Sequence, residues 1–351
     1  MCEATMLNYI NFDESSRVPK YLQIIDSIIY NISVGNITAG DKIPSINSMS
    51  EEFYLSRDTV ARAYNVLKDR KIITSIHGKG NYITRTKIIS KTNVLFLVNK
   101  MSTYKMDIYK SFINSMGVNT HVDLHFYHSD ETLFLELMKK YKMAYDYYVV
   151  MPHFKNEKLE HVSYTEEVSR VLNEIPKDKL IVLDNQYHQI NGKFIHVYQD
   201  FELDIYEALK RGIEKIIKYN KIVLVYPEKS VHPYPKGILN GFRKFCVHHH
   251  INFEIIEKVH DDMILKNKDL FITIEEDCLV KLIKQIKDKG VLLGSDIGII
   301  SYNDTPLKEL LNIASISTDF KMMGELAAYM ITNKEKGNIK IPFKFIDRCS
   351  I

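Results

Sequence analysis

Residues 44–84 read PSINSMSEEFYLSRDTVARAYNVLKDRKIITSIHGKGNYIT and decide the fold of the first quarter of the chain. Ser45 and Ser56 are of the residue types that cap helix N-termini, and each precedes apolar residues at helical spacing. The first apolar face consists of Ile46, Met49 and Phe53. The second consists of Val60, Ala63, Tyr64 and Leu67. This spacing predicts two short helices joined by a tight turn.

A two-stranded ribbon is predicted directly after the second helix. The apolar segments 72–74 and 82–84 flank His77-Gly78-Lys79-Gly80, and glycines at such a position favour a tight hairpin turn. Two helices followed by a cationic hairpin are the order of a winged helix-turn-helix, which places one helix in the DNA major groove. The alternative is an ordinary helical pair with a solvated charged face, and the ordered succession of signals argues against it.

Residues 19–84 resemble the DNA-binding domain of the GntR family of bacterial transcription regulators. The segments that carry the resemblance are Pro19–Ile24, Gly40–Ser45, Leu55–Val60, Ala63-Tyr64 and Gly78–Gly80. In that family the Ser-Arg-x-Thr-Val segment opens the recognition helix, where Arg side chains reach base edges and hydroxyls bond phosphates. Asn47 stands where the family usually has a base-reading arginine. The resemblance therefore implies that this position contacts DNA, without implying which base it prefers.

The predicted DNA-binding residues combine the first turn of the recognition helix, the hairpin tip and the positions implied by the resemblance. They are Tyr21, Ser45, Asn47, Ser56, Arg57, Thr59, Arg62, His77, Gly78 and Lys79.

Length and composition limit which classes of protein the chain can belong to. The 351 residues exceed one average domain, and the formal net charge of +3 means that DNA binding depends on where the cations lie. The four cysteines form no CxxC pair, so neither a disulfide framework nor a zinc site is expected. The N-terminus lacks the apolar core of a signal peptide, and no run of eighteen apolar residues occurs. We therefore expect a cytoplasmic protein that does not engage the membrane, with no metal and no cofactor.

Strand and helix patterns alternate after residue 92. The predicted strands are 94–98, 124–127, 147–151, 180–183, 194–197, 222–226, 253–256, 270–274 and 297–301. The predicted helices are 107–116, 131–141, 203–219, 235–249, 277–288 and 319–332. Repeated strand–helix units predict parallel sheets covered by helices, and nine strands favour two α/β lobes over one sheet. Ligands of such sheets bind at the carboxyl ends of the strands, in the crevice between lobes.

Residues 93–351 resemble the effector-binding domain of the LacI/GalR repressors, which is similar to periplasmic sugar-binding proteins of type I. The segments that carry the resemblance are Val182–Asn185, Val197 with Asp200, Ile222–Val225, Gly241–Lys244, Gly298–Asp304, Ser315–Phe320 and Met323–Ala327. A GntR-type head on such a body resembles the arabinose-repressor branch. The predicted domains are a winged helix-turn-helix at 1–84, a linker at 85–92 and an effector-binding and dimerisation domain at 93–351. Lobe one is predicted at 93–197 plus 318–333, and lobe two at 198–317 plus 338–351.

Polar residues that follow the predicted strands are candidates for pairing sugar hydroxyls, and nearby aromatic rings are candidates for the apolar sugar face. By position in the resemblance, the predicted effector-binding residues are Tyr104, Asp200, Tyr234, Lys236, Glu276, Asp277, Asn303 and Asp304. The family usually has a sugar-gripping arginine at the position of Ile238. Lys236 is the candidate replacement, and Ile238 is the candidate contact for the methyl group of a deoxy sugar.

The resemblances imply a homodimeric transcription repressor of a sugar-utilisation operon. Two winged helices would read the halves of a palindromic operator on double-stranded DNA. A sugar or sugar phosphate, such as a fucose-like deoxyhexose or the pentose arabinose, would close the two lobes and release the operator. Two alternatives stay open: a GntR-headed, pyridoxal-phosphate enzyme-like regulator, and an architectural DNA binder with a non-functional sensor domain. No catalytic residues are predicted, because the chain carries no GxSxG, P-loop or HExxH motif.

Overall fold

The chain divides into two units, Met1–Lys91 and Thr92–Ile351. The computed structural model describes residues 6–13, 18–69, 72–84, 92–142, 144–186, 189–228 and 230–351. The predicted linker at 85–92 lies outside the described residues except for Thr92. Within the described ranges, none of the helices has the length and apolar character needed to span a membrane.

The N-terminal unit is the predicted winged helix-turn-helix. Its helices are α1 (Lys20–Ser33), α2 (Ile46–Glu52) and α3 (Arg57–Asp69). Its strands are β1 (Lys42–Ile43), β2 (Ile73–Ile76) and β3 (Gly80–Ile83), which form an antiparallel sheet in the order β1-β3-β2. Ser45 caps α2 by accepting a hydrogen bond from the Ser48 amide at 3.0 Å, and Ser56 accepts one from the Thr59 amide at 3.2 Å. Both predicted capping serines therefore act at helix starts.

The core of this unit includes Met49 and the whole apolar face predicted for α3, whereas Ile46 and Phe53 of the first predicted face are only half-buried at its edge. Met49, Val60, Ala63, Tyr64 and Leu67 are all fully buried, together with isoleucines of α1 and the sheet. The Tyr64 hydroxyl donates to the Pro44 carbonyl at 2.7 Å, so the recognition helix is tied to the start of α2. Apolar burial of this kind stabilises the short helices, which would be marginal in isolation.

The second unit contains two six-stranded sheets. Lobe one has the order β16-β10-β9-β6-β4-β5, and every pair is parallel. Its strands are β4 (Thr92–Val98), β5 (Thr120–Phe126), β6 (Tyr147–Val150), β9 (Leu180–Asp184), β10 (Ile195–Tyr198) and β16 (Gly337–Lys340). Its helices are α4 (Thr103–Met116), α5 (Glu131–Lys140), α6 (Glu166–Glu174) and α12 (Phe320–Thr332), and a two-stranded hairpin joins β7 (Phe154–Lys155) to β8 (His161–Val162).

Lobe two has the order β12-β11-β13-β14-β15-β17, in which only β17 runs antiparallel to its neighbour. Its strands are β11 (Lys221–Val225), β12 (Phe253–Ile256), β13 (Asp269–Thr273), β14 (Ile297–Tyr302), β15 (Ala314–Thr318) and β17 (Phe343–Ile346). Its helices are α7 (Phe201–Arg211), α8 (Ile213–Ile216), α9 (Lys236–His248), α10 (Glu276–Asp288) and α11 (Pro306–Leu310). The predicted fold class, a winged helix-turn-helix followed by a two-lobed α/β domain with parallel sheets, is confirmed.

Three segments cross between the lobes: Gln199–Asp200, Asp319 and Ile341–Pro342. The prediction placed 338–351 in lobe two, and this needs correction because Gly337–Lys340 pairs with β10 of lobe one. The strand is short and alternates half-buried with exposed residues, so its apolar pattern was too weak to reveal it. All nine predicted strands are present, with ends shifted by a few residues.

Candidate functional site

Helix α3 carries two exposed arginines, and the acidic Asp58 lies in its first turn. Arg57 and Arg62 are exposed, whereas Val60 and Tyr64 of the same helix are buried, so the helix keeps one face free for a partner. The guanidinium of Arg62 lies over the ring of Tyr21, with its carbon 4.1 Å from the ring centroid. This stacking orients the arginine towards solvent without neutralising its charge.

The remaining predicted DNA-binding residues lie at the surface of the same unit. Ser45 and Asn47 are exposed at the start of α2, and the Ser56 and Thr59 hydroxyls lie 2.7 Å apart at the start of α3. The turn His77, Gly78, Lys79 is exposed at the tip of the β2–β3 wing, and Gly78 adopts a φ of +74°. Glycine favours this left-handed conformation, which tightens the hairpin.

The second candidate site lies between the lobes, where the carboxyl ends of β4, β6 and β9 face those of β11, β13 and β14; we call it the interlobe site. Its centre is Asp184, the last residue of β9, whose side chain is fully buried. One Asp184 oxygen lies 3.4 Å from the ammonium group of Lys105 and 2.9 Å from Nε2 of His153. The Tyr104 hydroxyl donates to the same oxygen at 3.2 Å. The site therefore gathers an acid, a cation, an imidazole and a phenol in a buried space.

Charges in this cluster depend on one another. Burial alone would raise the pKa of Asp184, but Lys105 and His153 hold that pKa below its usual range. Burial lowers the pKa of Lys105 to about 8, although Asp184 opposes this. Burial, followed by the nearby Lys105 charge, lowers the pKa of His153 to about 4. At neutral pH the pair is therefore an ionised carboxylate and an ammonium, with His153 as a neutral donor.

The cluster is bonded directly to one lobe crossover at Gln199 and, through Gln199, to Thr318 at the end of β15. Gln199 donates its side-chain amide to the other oxygen of Asp184, and the Thr318 hydroxyl donates to Gln199 Oε1 at 2.7 Å. Asp184 has a φ of +74°, which is costly for a residue other than glycine and is fixed here by contacts on both carboxylate oxygens. Asp184 is thus bonded to a residue of the segment that connects the two lobes.

Lobe two contributes aromatic and polar groups to the same space. The Lys100 ammonium, which follows β4, lies 4.4 Å from the ring centroid of Tyr234. Burial lowers the pKa of Lys100, and Glu275 and Asp184 oppose this. The charge of Lys100 is therefore stabilised by one carboxylate from each lobe, Asp184 of lobe one and Glu275 of lobe two.

The β7–β8 hairpin lies beside the interlobe site. His161 Nε2 lies 2.8 Å from His153 Nδ1, so the hairpin is linked through His153 to Asp184. Glu160 pairs with Lys236 of lobe two at 3.3 Å. The Ser230 amide of lobe two also approaches the carbonyl oxygen of residue 159 at 3.5 Å. The hairpin thus contacts both lobes.

Several predicted effector residues already have partners within the protein. Lys236, the candidate replacement for the missing arginine, forms the ion pair with Glu160 and is 55% exposed. Asp304 is held by Arg348 through two bonds of 2.6 and 2.8 Å. Asp200 caps α7 by accepting from the Leu203 amide at 3.1 Å. These contacts are what a helix cap or a structural ion pair would make.

The other predicted positions differ in how close they lie to the site. Tyr104 and Tyr234 belong to it, whereas Glu276 and Asp277 are exposed in the first turn of α10. Glu275, one residue earlier, is the acid that acts most strongly on Tyr234. Burial is the main cause that raises the pKa of the Tyr234 hydroxyl, and the Glu275 carboxylate raises it further. Ile238 is buried in the lobe-two core. Asn303 directly follows β14 and is half-buried.

Most of the Asp184 cluster was absent from the predicted site. Lys100, His153 and Asp184 each follow a strand, and the rule that placed Asn303 would have selected them. Lys105 lies inside a helix at an apolar-facing position, and no sequence signal marks a buried lysine of this kind. The position of His161 next to His153 depends on the β7–β8 hairpin, whose two-residue strands are too short to be predicted from the sequence.

Residues 20–83 match the family model described as "Bacterial regulatory proteins, gntR family". The chain is 36% identical over 70 residues to the mannosyl-D-glycerate transport/metabolism system repressor of Escherichia coli, covering 20% of this chain and 29% of that protein. It is 34% identical over 70 residues to the arabinose metabolism transcriptional repressor of Geobacillus stearothermophilus, covering 20% of this chain and 19% of that protein. The chain thus spans less than a third of either relative. Its N-terminal unit is a GntR-type helix-turn-helix domain.

Solved structures resemble the remainder of the chain in fold. The trehalose repressor from Escherichia coli superposes with a TM-score of 0.57 at 14% identity, covering 73% of this chain and all of that one. A LacI family transcriptional regulator from Lactobacillus casei with bound glucose gives a TM-score of 0.58 at 12% identity, covering 74% and 99%. At such identities the likeness concerns the fold alone, a two-lobed α/β fold like that of these regulators.

Proposed function

We propose that the chain is a transcription repressor that binds DNA through α3 and the β2–β3 wing and senses a small sugar or sugar phosphate at the interlobe site. The buried polar cluster around Asp184 carries the sensing half of the proposal. Buried ionised groups cost several kcal/mol in desolvation, and clusters of them in a cleft are typical of functional sites. The Escherichia coli and Geobacillus stearothermophilus relatives, each named a repressor, support the DNA-binding half.

The chemistry of the interlobe site suits a polyhydroxylated ligand. Asp184 accepts hydrogen bonds, Lys105 and Tyr104 donate them, and the Tyr234 ring offers an apolar face. Arabinose, a fucose-like deoxyhexose and a sugar phosphate are the candidates. Lys100 and Lys105 provide cations for a phosphate group.

Ligand binding would favour the closed lobes and thereby alter the affinity for DNA. In this scheme two chains form a homodimer, so that two winged helices read a palindromic operator. The ligand changes DNA affinity only as far as it prefers one state, and such couplings are typically about 1–3 kcal/mol.

Calorimetric titration of the full-length protein with L-arabinose, L-fucose and glucose 6-phosphate tests the sensing half. We expect one of these to bind with one site per chain, and Tyr104→Phe to weaken it because the hydroxyl that meets Asp184 is lost. Absence of heat from all three ligands, at concentrations that also leave the melting temperature unchanged, would contradict the proposal.

A further inference from the structure

Lys308 is a buried lysine beside the interlobe site. It lies in α11, and only 2% of the residue is exposed. Its ammonium group donates hydrogen bonds to the backbone carbonyl oxygens of Tyr302 at 2.9 Å and Asn303 at 2.6 Å. A buried cation is costly unless acceptors surround it. The two carbonyl contacts therefore show where its stabilising partners lie.

These two carbonyl groups belong to the loop that ends β14. Asn303 has a φ of +62°, a left-handed conformation, and its amide donates to the Ile316 carbonyl at 2.8 Å. Lys308 donates to the carbonyl oxygen of the same residue, Asn303. Both peptide groups that flank Asn303 are therefore held by hydrogen bonds. Asp304, the next residue, is anchored by Arg348. The loop is thus held on two sides by cationic side chains.

The side chains presented by this loop are free to meet a ligand. The Tyr302 hydroxyl and the Asn303 Oδ1 atom are buried, and within the described part of the chain neither has a hydrogen-bond partner. Tyr302 is 3% exposed. Burial, then the carboxylates of Asp204 and Asp184, raises the pKa of the Tyr302 hydroxyl well above its usual value. Since Asp184 belongs to lobe one, this hydroxyl lies close to the interlobe site.

We propose that Lys308 is a positioning residue of the interlobe site, which fixes the Tyr302–Asn303 backbone so that their free polar atoms meet hydroxyl groups of the ligand. The inference rests on the proposed function, because it takes the ligand to be polyhydroxylated. Lys308 itself does not touch the ligand and acts through Asn303. An unpaired buried polar atom is costly, and a ligand hydroxyl would remove that cost.

Hydrogen exchange on the full-length protein tests whether Lys308 holds the loop. Lys308→Met keeps the length of the side chain and removes its donors, so we expect exchange in the segment 299–308 to rise about tenfold. Lys221→Met is the matched control. Lys221 pairs with Glu254 at 2.7 Å at the opposite, amino-terminal edge of the same sheet, so its loss should leave segment 299–308 unchanged. Unchanged exchange in Lys308→Met would overturn the inference, whether or not a sugar binds.

A double-mutant cycle tests whether Lys308 acts through Asn303. The probe is whichever of L-arabinose, L-fucose and glucose 6-phosphate binds the wild type. We expect Lys308→Met and Asn303→Ala each to weaken that sugar about tenfold, and the double variant to bind no worse than Asn303→Ala alone. Additive losses, or wild-type affinity in Lys308→Met, would overturn the inference, whereas a purely structural lysine would lower stability without this coupling.

The two hypotheses fail in different ways. If none of the three sugars binds the wild type, the proposed function fails, and hydrogen exchange of the loop still decides the role of Lys308. If Lys308→Met does not fold, Lys308→Gln replaces it in both experiments. Its shorter side chain reaches at most one of the two carbonyl groups, so the same loop and affinity changes are expected in reduced form.

Discussion

At the scale of single residues, Asp184 holds the interlobe site together. It accepts from Tyr104 and Gln199 and balances the buried charge of Lys105. Removing one partner of a buried ion pair is much more damaging than removing an exposed one, because the charge left behind cannot be solvated. The stability of lobe one therefore depends on this carboxylate.

Asp184→Asn should lower the free energy of unfolding by about 3–5 kcal/mol, because Lys105 then stays buried without its counter-charge. Urea denaturation at pH 7 measures the change. The control is Glu174→Gln, which removes an exposed partner of Lys142 at 3.1 Å and should leave stability near that of the wild type. Equal effects of the two substitutions would contradict the assignment of a buried pair.

His153 makes stability dependent on pH. Its pKa is lowered to about 4 in the folded protein, against an ordinary value near 6.5, so the unfolded chain binds more protons between these values. Stability should therefore fall as the pH is reduced from 6.5 to 4, by on the order of 3 kcal/mol from this group. Denaturation midpoints across that range should fall less steeply in His153→Gln. Parallel curves for the two proteins would show that His153 titrates normally in the folded state.

At the scale of elements, the sequence predicts the helices and strands that have a clear apolar pattern. The run at 180–183 is fully buried in a parallel strand, as its continuous apolar character predicted. The two-residue strands of the β7–β8 hairpin carry no such signal, so the hairpin beside the interlobe site is not predictable from the sequence. Glu276 and Asp277 are predicted from their position after the strand 270–274, and the structure adds Glu275, one residue earlier, as an acid that acts on Tyr234.

Recognition helix α3 should bind DNA through its exposed arginines. We expect Arg57→Ala and Arg62→Ala each to weaken operator binding by about 1–3 kcal/mol, with sugar affinity unaltered. Arg170→Ala is a matched control, since that exposed arginine lies on α6 of lobe one and pairs with Glu167 and Glu174. Gel-shift titrations at one fixed salt concentration measure the difference. Wild-type affinity in both α3 variants would remove α3 from the DNA interface.

The β7–β8 hairpin should slow the escape of the ligand. Replacing Glu160 and Lys236 together by Gln removes the ion pair between hairpin and lobe two, and we expect sugar dissociation to accelerate by up to about fivefold. Glu202 and Lys244, 3.6 Å apart within lobe two, provide the control pair. Stopped-flow measurements at low and high salt give the sugar dissociation rate of each double variant. The difference between the two rates should shrink at high salt, because salt screens the exposed ion pair. Identical rates in the two double variants would exclude the hairpin contact as a latch.

At the scale of the whole molecule, the two units carry separate chemistry on one chain. The order of motifs allowed both folds to be predicted, because a helix–helix–ribbon pattern and repeated strand–helix units persist over long stretches. The site between the lobes depends on side chains brought together from distant positions, such as Lys105 and Asp184, 79 positions apart in the sequence. Spacing alone cannot predict such pairs.

The central claim is that occupation of the interlobe site changes how tightly the chain holds DNA. Fluorescence anisotropy with DNA from upstream of its own gene, at fixed salt and with or without the sugar that binds, measures this coupling directly. We predict that the sugar weakens DNA binding about fivefold or more, and that the DNA weakens sugar binding by the same factor. DNA affinity that is identical with and without a saturating sugar would contradict the account.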